Sequence, residues 1–111
     1  MRKVPERESD IEDYLVGKIK ARGGEVRKVK WIGRNGAPDR VAMMPLEDWQ
    51  ELGSGTIWVE LKAPGRVEKF PATPHERQQH REHERMRKMG QRVEVIDSYE
   101  GIDQLFPITK G

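Results

Sequence analysis

Along the first part of the chain Ile11, Tyr14, Leu15 and Ile19 recur at steps of three and four residues, a spacing that predicts a helix from Pro5 to Ala21 with one buried stripe. Pro5 suits a first turn and Gly23-Gly24 a stop. The period then shortens. From Glu25 to Trp31 charged and apolar positions roughly alternate, which predicts a strand, and a glycine-rich turn follows from Gly33 to Gly36. Arg40 to Met44, opened by Pro38 and closed by Pro45, and Thr56 to Leu61, after Gly53-Ser54-Gly55, predict two adjacent antiparallel strands. Leu46 to Leu52 between them is long enough for one helical turn. Pro64 to Pro74 reads as an exposed loop. Helix resumes with Thr73 as cap, Pro74 in the first turn and Glu76 at the capping-box position, and ends before Gly90. Arg92 to Ile96 predicts a last strand, and Gly101 to Phe106 a short helix stopped by Pro107. The resulting order is α-β-β-β-α-β-α, an α/β chain with a mixed sheet flanked by helices.

The 111 residues fit a single domain spanning 1–111, since domains commonly run from about 50 to 250 residues. Only 34% of residues are apolar and 36% are charged, so the core should be thin. A second copy of the chain would cover apolar surface that one copy leaves wet, which makes a homodimer the expected working form. Cysteine is absent, which excludes disulfides and thiolate ligands. No apolar run reaches the roughly 20 residues of a membrane span, and the charged segment Met1 to Asp13 lacks the apolar centre of a signal peptide. These features predict a cytoplasmic, intracellular protein with no membrane partner. Net charge is +2, too small to announce a nucleic-acid binder by itself. Its distribution says more: between Arg22 and Arg40, Arg22, Arg27, Lys28, Lys30, Arg34 and Arg40 are opposed only by Glu25 and Asp39.

Candidate chemistry sits at the ends of the two central strands. Residues two apart on a strand share a face, so Glu60 and Lys62 project together, and antiparallel pairing can bring Asp39 across from Glu60. Converging carboxylates repel each other unless a hard cation lies between them. Mg2+ or Mn2+ fits such oxygen donors, can hold a phosphate, and lowers the pKa of a bound water. Lys62 adds a compact positive charge that can orient that water or offset charge in the transition state.

Pro38-Asp39 followed by Glu60-Leu61-Lys62 resembles the PD-(D/E)xK nuclease pattern. More narrowly, the chain resembles the stand-alone, phage-type VRR-Nuc nucleases. The acidic first helix, Gly36-Ala37-Pro38-Asp39-Arg40, Trp58-Val59-Glu60-Leu61-Lys62-Ala63, Gln79, and Met86 to Gly90 ahead of Val93-Glu94-Val95-Ile96 carry that likeness over nearly the whole chain. Met86 stands where many members have leucine. The resemblance implies a restriction-endonuclease-like core, dependence on Mg2+ or Mn2+, and hydrolysis of phosphodiester bonds in DNA, branched or Holliday-junction-like, by a homodimer. It further implies Asp39 and Glu60 as metal ligands, the Leu61 carbonyl as another, Lys62 as the catalytic lysine, and Gln79 beside the site. A first-helix glutamate completes the set. Glu8 and Glu12 share a helix face, and Glu12, nearer the helix centre, is favoured. Arg34, Arg66 and Lys69, in loops beside the proposed site, and Arg40 at the strand start are the expected DNA contacts.

Other readings account for parts of the pattern. A Glu-x-Lys alone is usually a solvated strand edge, and a Pro-Asp alone a turn. His75 and His80 are five apart, too far for the H-E-x-x-H zinc motif, so the histidines are expected at the surface, near phosphate. Trp31, Trp49 and Trp58 are expected in the core or at a dimer interface rather than as platforms for bases. Gly33 to Gly36 has the spacing of a GxxG loop without its flanking helices, so it reads as a turn. A non-catalytic DNA-binding module of the same fold and a restriction-type duplex nuclease are the alternatives to a structure-selective endonuclease.

Overall fold

A computed structural model describes residues 4–106; Pro107, the expected helix stop, lies outside them. The four-stranded sheet has the order β1-β2-β3-β4, with β1 Glu25–Lys28, β2 Arg40–Met43, β3 Thr56–Leu61 and β4 Arg92–Ile96. The first three strands pair antiparallel, and β3 pairs β4 parallel. Helix α1 (Glu8–Ala21) precedes the sheet, and α2 is the single turn Trp49–Leu52. Helix α3 (Pro74–Lys88) makes the crossover between the two parallel strands, and α4 (Tyr99–Asp103) follows β4. A mixed sheet flanked by helices is the predicted architecture.

The two faces of the sheet have different tasks. Ile57, Val59 and Leu61 of β3 join Ala42, Ile96, Ile102 and Leu105 in one apolar cluster with the α1 stripe Ile11, Leu15 and Ile19, all three of which are fully buried. Successive strand residues point to opposite faces, so Trp58 and Glu60 lie on the other side, where α3 packs. That helix presents Glu76, Gln79, Glu82, His83 and Met86 as its buried residues, a stripe more polar than most core stripes. The polar stripe holds the candidate chemistry.

Several boundaries differ from the sequence expectation. Strand β1 stops at Lys28 rather than Trp31, and the last ladder bond runs from Val29 N–H to the Asp39 carbonyl at 2.8 Å. Continuing the register would place Lys30 opposite Pro38, which has no N–H to offer. The indole N–H of Trp31 instead donates to the Pro38 carbonyl at 2.7 Å. Helix α1 begins at Glu8, not near Pro5, because the Asp10 carboxylate accepts from the main-chain N–H groups of Glu6 and Arg7. Helix α4 begins at Tyr99 because Ser98 Oγ accepts from Gly101 N–H at 2.9 Å, capping the helix before the expected start. Early docking of α4 lets Tyr99 stack on Tyr14, with centroids 4.4 Å apart.

Candidate active site

The β2–β3 register pairs Arg40 with Val59, and one further step along it sets Asp39 opposite Glu60. By the alternation of strand side chains, Asp39, Glu60 and Lys62 then belong to the face covered by α3, and Arg40 to the α1 face. The turn that delivers Asp39 rests on α3. Gly36 adopts φ +87°, and a Cβ there would stand 3.0 Å from the Gln78 carbonyl oxygen, so the close approach of turn to helix suits glycine.

Lys62 is held from α3. Its Nζ donates to Gln79 Oε1 at 2.6 Å, stands 3.6 Å from Glu76 Oε2, and lies 5.2 Å from the centre of the Phe70 ring. A lysine with its stem in the sheet and its head fixed by an amide and a carboxylate has few rotamers left, which directs its charge at one place. Glu76 in turn accepts from Ala72 N–H at 2.8 Å and from Arg66 at 3.1 Å. The Ala72 hydrogen bond, then Arg66 and Lys62, hold its carboxyl down to about 2, against the opposing effect of burial. Glu76 is therefore a permanent anion linking the loop after β3 to the lysine.

Glu60 is buried, and among the described residues His83 faces its carboxylate, with Nε2 3.5 Å from Oε1. The imidazole itself is fully buried, and neither ring nitrogen has a hydrogen-bond partner among the described residues. Phe70 covers it with nearly parallel rings, 6.0 Å between centroids. This corrects the expectation that the histidines lie at the surface: His75 and His80 do, whereas His83 is enclosed because it shares the buried stripe of α3 with Gln79 and Met86. The four-residue step from Gln79 to His83 and the three-residue step to Met86 were the available sequence signals.

Asp39 is the open member, with a side chain 61% exposed. Its Oδ1 accepts from Arg40 Nη1 at 2.8 Å, and the same guanidinium donates through Nε to Glu12 Oε2. Burial works against the charged form of Arg40, but the Glu12 hydrogen bond and the charges of Asp39, Glu12 and Glu8 outweigh it and raise its pKa. The Arg40 hydrogen bond holds the Glu12 carboxyl below the usual carboxylate range, also against burial. Arg40 thus stands between the first helix and Asp39, with only 11% of its side chain exposed and its donors turned to carboxylates. Among the described residues no group of three or more His, Asp or Glu is gathered tightly enough to hold a metal unaided.

The remaining basic residues differ in their freedom. Arg34 ion-pairs with Glu82 of α3, tying the glycine-rich turn to the helix, and Arg66 is committed to Glu76. Lys69, in the short 3-10 turn Val67–Lys69, is exposed. None of the described helices is long and apolar enough to cross a membrane.

No family model matches the chain. It is similar to the protein named "Putative nuclease p44" from Acyrthosiphon pisum secondary endosymbiont phage 1, at 39% identity over 92 residues, covering 83% of this chain and 84% of that protein. It is also similar to a solved structure described as a VRR_NUC domain, with TM-score 0.66 and 35% identity, covering 88% of this chain and 91% of the other. With that fold and those identities over most of its length, the chain belongs to the VRR-Nuc family of nucleases, on a restriction-endonuclease-like fold.

Proposed function

We infer that the protein is a Mg2+- or Mn2+-dependent endodeoxyribonuclease that hydrolyses phosphodiester bonds in branched or junction DNA as a homodimer, with the whole chain forming its one domain. The observation that carries this reading is the register that sets Asp39 opposite Glu60, with Lys62 two residues on and its Nζ anchored 2.6 Å from Gln79. The donor set fits a hard divalent cation. Asp39 and Glu60 supply carboxylate oxygens and Leu61 a main-chain carbonyl, while Mg2+ commonly takes one or two carboxylates and completes its shell with water and substrate phosphate. Among the described residues Glu60 is buried with no hydrogen-bond donor closer than His83 Nε2 at 3.5 Å, a condition that a cation relieves. When bound, the metal would polarise the scissile phosphate and acidify a water.

The chain's own groups do the rest. Lys62 places a fixed positive charge beside the two carboxylates, where it orients the attacking water and offsets developing negative charge on the phosphate oxygens. Gln79 fixes that charge in direction, and the Glu76 carboxylate lies 3.6 Å away on its other side. Glu12, or Glu8 one turn earlier on the same face, reaches Asp39 through Arg40, so a first-helix glutamate joins the ligands only when Arg40 yields to metal or phosphate. Lys69 and Arg34, beside the site, are the phosphate contacts with exposed charge; Arg66 adds its charge through Glu76. Dimerisation suits a chain with 34% apolar residues and would fix two such sites in a symmetric relation, as cutting both strands of a junction requires.

The test is cleavage of labelled single strand, duplex, flap and four-way junction in Mg2+, Mn2+ or EDTA, with Lys62→Ala alongside. Metal-dependent cutting, strongest on branched DNA and lost in Lys62→Ala, is expected. DNA binding without cutting under every condition would instead favour a non-catalytic binding module.

A further inference from the structure

Beside the candidate site, across the next stripe of α3, lies a trough in two parts. One part, of about 410 Å3, is walled by Trp31, Trp58, Met86 and Met89. The other, of about 420 Å3, is walled by Arg34, Arg81 and Arg85 with Gln78 and Asn35. Arg34, Glu82 and Arg85 line both, so an aromatic end and a cationic end are continuous. Both volumes lie in the range of small-ligand sites.

The aromatic end is fixed in shape. Trp31 and Trp58 stand with centroids 5.3 Å apart and planes tilted by 48°. Their N–H groups are already engaged, Trp31 with the Pro38 carbonyl at 2.7 Å and Trp58 with Gln91 Oε1 at 2.9 Å, so the rings offer their apolar surface rather than a donor. At the cationic end Glu82 accepts from Arg34 and lies 3.9 Å from Arg85, and among the described residues Arg81 has no carboxylate partner. Three guanidiniums against one carboxylate leave this end positive.

Its position relative to the site is set by the same two elements. Trp58 precedes Glu60 by two residues on β3 and therefore shares its face, about 7 Å away along the strand. On α3, Gln79 and His83 face the site while their neighbours Gln78 and Glu82 face the trough. Adjacent phosphates of an extended nucleic-acid strand are separated by a comparable step. We propose that the Trp31–Trp58 groove with Arg34, Arg81 and Arg85 binds one unpaired nucleotide of a DNA strand, its base against the indoles and its phosphate among the arginines, next to the bond positioned for hydrolysis. A base paired in a duplex is stacked on both sides and does not reach such a groove, so the groove selects substrates with an unpaired position beside the cut. The proposal rests on the nuclease reading for the position of the cut, and on the groove alone for binding.

The experiment measures binding of fluorescein-labelled dT12 and of a 12-base-pair duplex to the full chain in EDTA, where hydrolysis is blocked, for the wild type, Trp31→Leu and Arg85→Glu. Thermal melting of each variant identifies any that fails to fold, and the solvent-facing Arg85 supplies a variant free of that difficulty. Quenching of tryptophan emission by dT12 is expected, with affinity for dT12 falling about tenfold in each variant and affinity for the duplex falling less. Unchanged dT12 affinity in folded Arg85→Glu overturns the proposal. So does an equal loss for dT12 and duplex, or a loss of self-association in sedimentation, which would assign the groove to a second copy of the chain. Because metal is absent, these results are independent of cleavage: a groove that binds in a protein that never cuts would refute the nuclease reading alone, and cutting with an inert groove would refute this inference alone.

Discussion

His83 Nε2 lies 3.5 Å from Glu60 Oε1, and the imidazole that carries it is sealed from solvent between that carboxylate and the Phe70 ring. An N–H at Nε2 is placed to donate to Glu60 and so to fix the orientation of that carboxylate as a metal ligand. His83→Leu keeps the ring's volume roughly filled and removes the donor. The expected result is Mn2+ affinity and cleavage both weaker by about 10- to 100-fold, the range seen when groups supporting metal ligands are removed. Titration of Mn2+ binding by calorimetry checks this, and unaltered metal affinity would show that His83 serves packing only.

Gln79 and Lys62 predict a different signature. Gln79→Leu removes the acceptor 2.6 Å from Nζ without touching a proposed metal ligand. Metal affinity should persist while the turnover rate falls about 10²-fold, because a catalytic charge displaced by an ångström loses much of its effect. Lys62→Ala should cost about 10²- to 10⁴-fold in turnover. Single-turnover kinetics at saturating Mn2+ separates the two variants from His83→Leu.

The depressed Glu76 carboxyl gives a pH dependence of stability. Its folded pKa of about 2 lies below the 4.5 of an ordinary glutamate, so the stabilisation is fully present above about pH 4.5 and is lost as pH falls toward 2. The groups that face it are Lys62 from the end of β3, Arg66 from the following loop and the Ala72 N–H. Glu76→Gln should lower the melting temperature at neutral pH and flatten its decline between pH 4.5 and 2, since the substituted side chain has no proton to gain. Thermal melts across that interval by circular dichroism provide the check; a decline as steep as that of the wild type would place the acid sensitivity elsewhere.

Gly36 connects backbone conformation to the site. Alanine at φ +87° costs about 1–2 kcal/mol in the left-handed region, and its Cβ would also press on the Gln78 main chain from 3.0 Å. Gly36→Ala should lower the melting temperature by about 4–16 °C and reduce cleavage further than stability alone explains, because the same turn delivers Asp39. Comparing residual activity well below the melting temperature with that of Gly90→Ala separates the effects: Gly90 has a similar φ of +84° but open space around its Cβ, and it lies beyond the end of α3.

The periodicity of Ile11, Leu15 and Ile19, the alternation in β3 and the Thr73-Pro74 start of α3 fixed which segments became helix and strand, because each pattern satisfies local backbone geometry and one apolar face at once. The placement of Asp39 opposite Glu60 was legible for the same reason: two-residue alternation and antiparallel pairing are rules of the strand itself. The ends were less legible, since β1 stops where Pro38, two residues ahead of β2, withholds a donor and α4 starts where Ser98 caps it. Tertiary structure alone decided that Arg40 turns to Glu12 and Asp39, that Glu76 locks Lys62 to Arg66, and that His83 is buried against Glu60. Each of these depends on which helix face meets which strand face, and in a chain so rich in charge many pairings are open to the sequence until packing removes water from one of them.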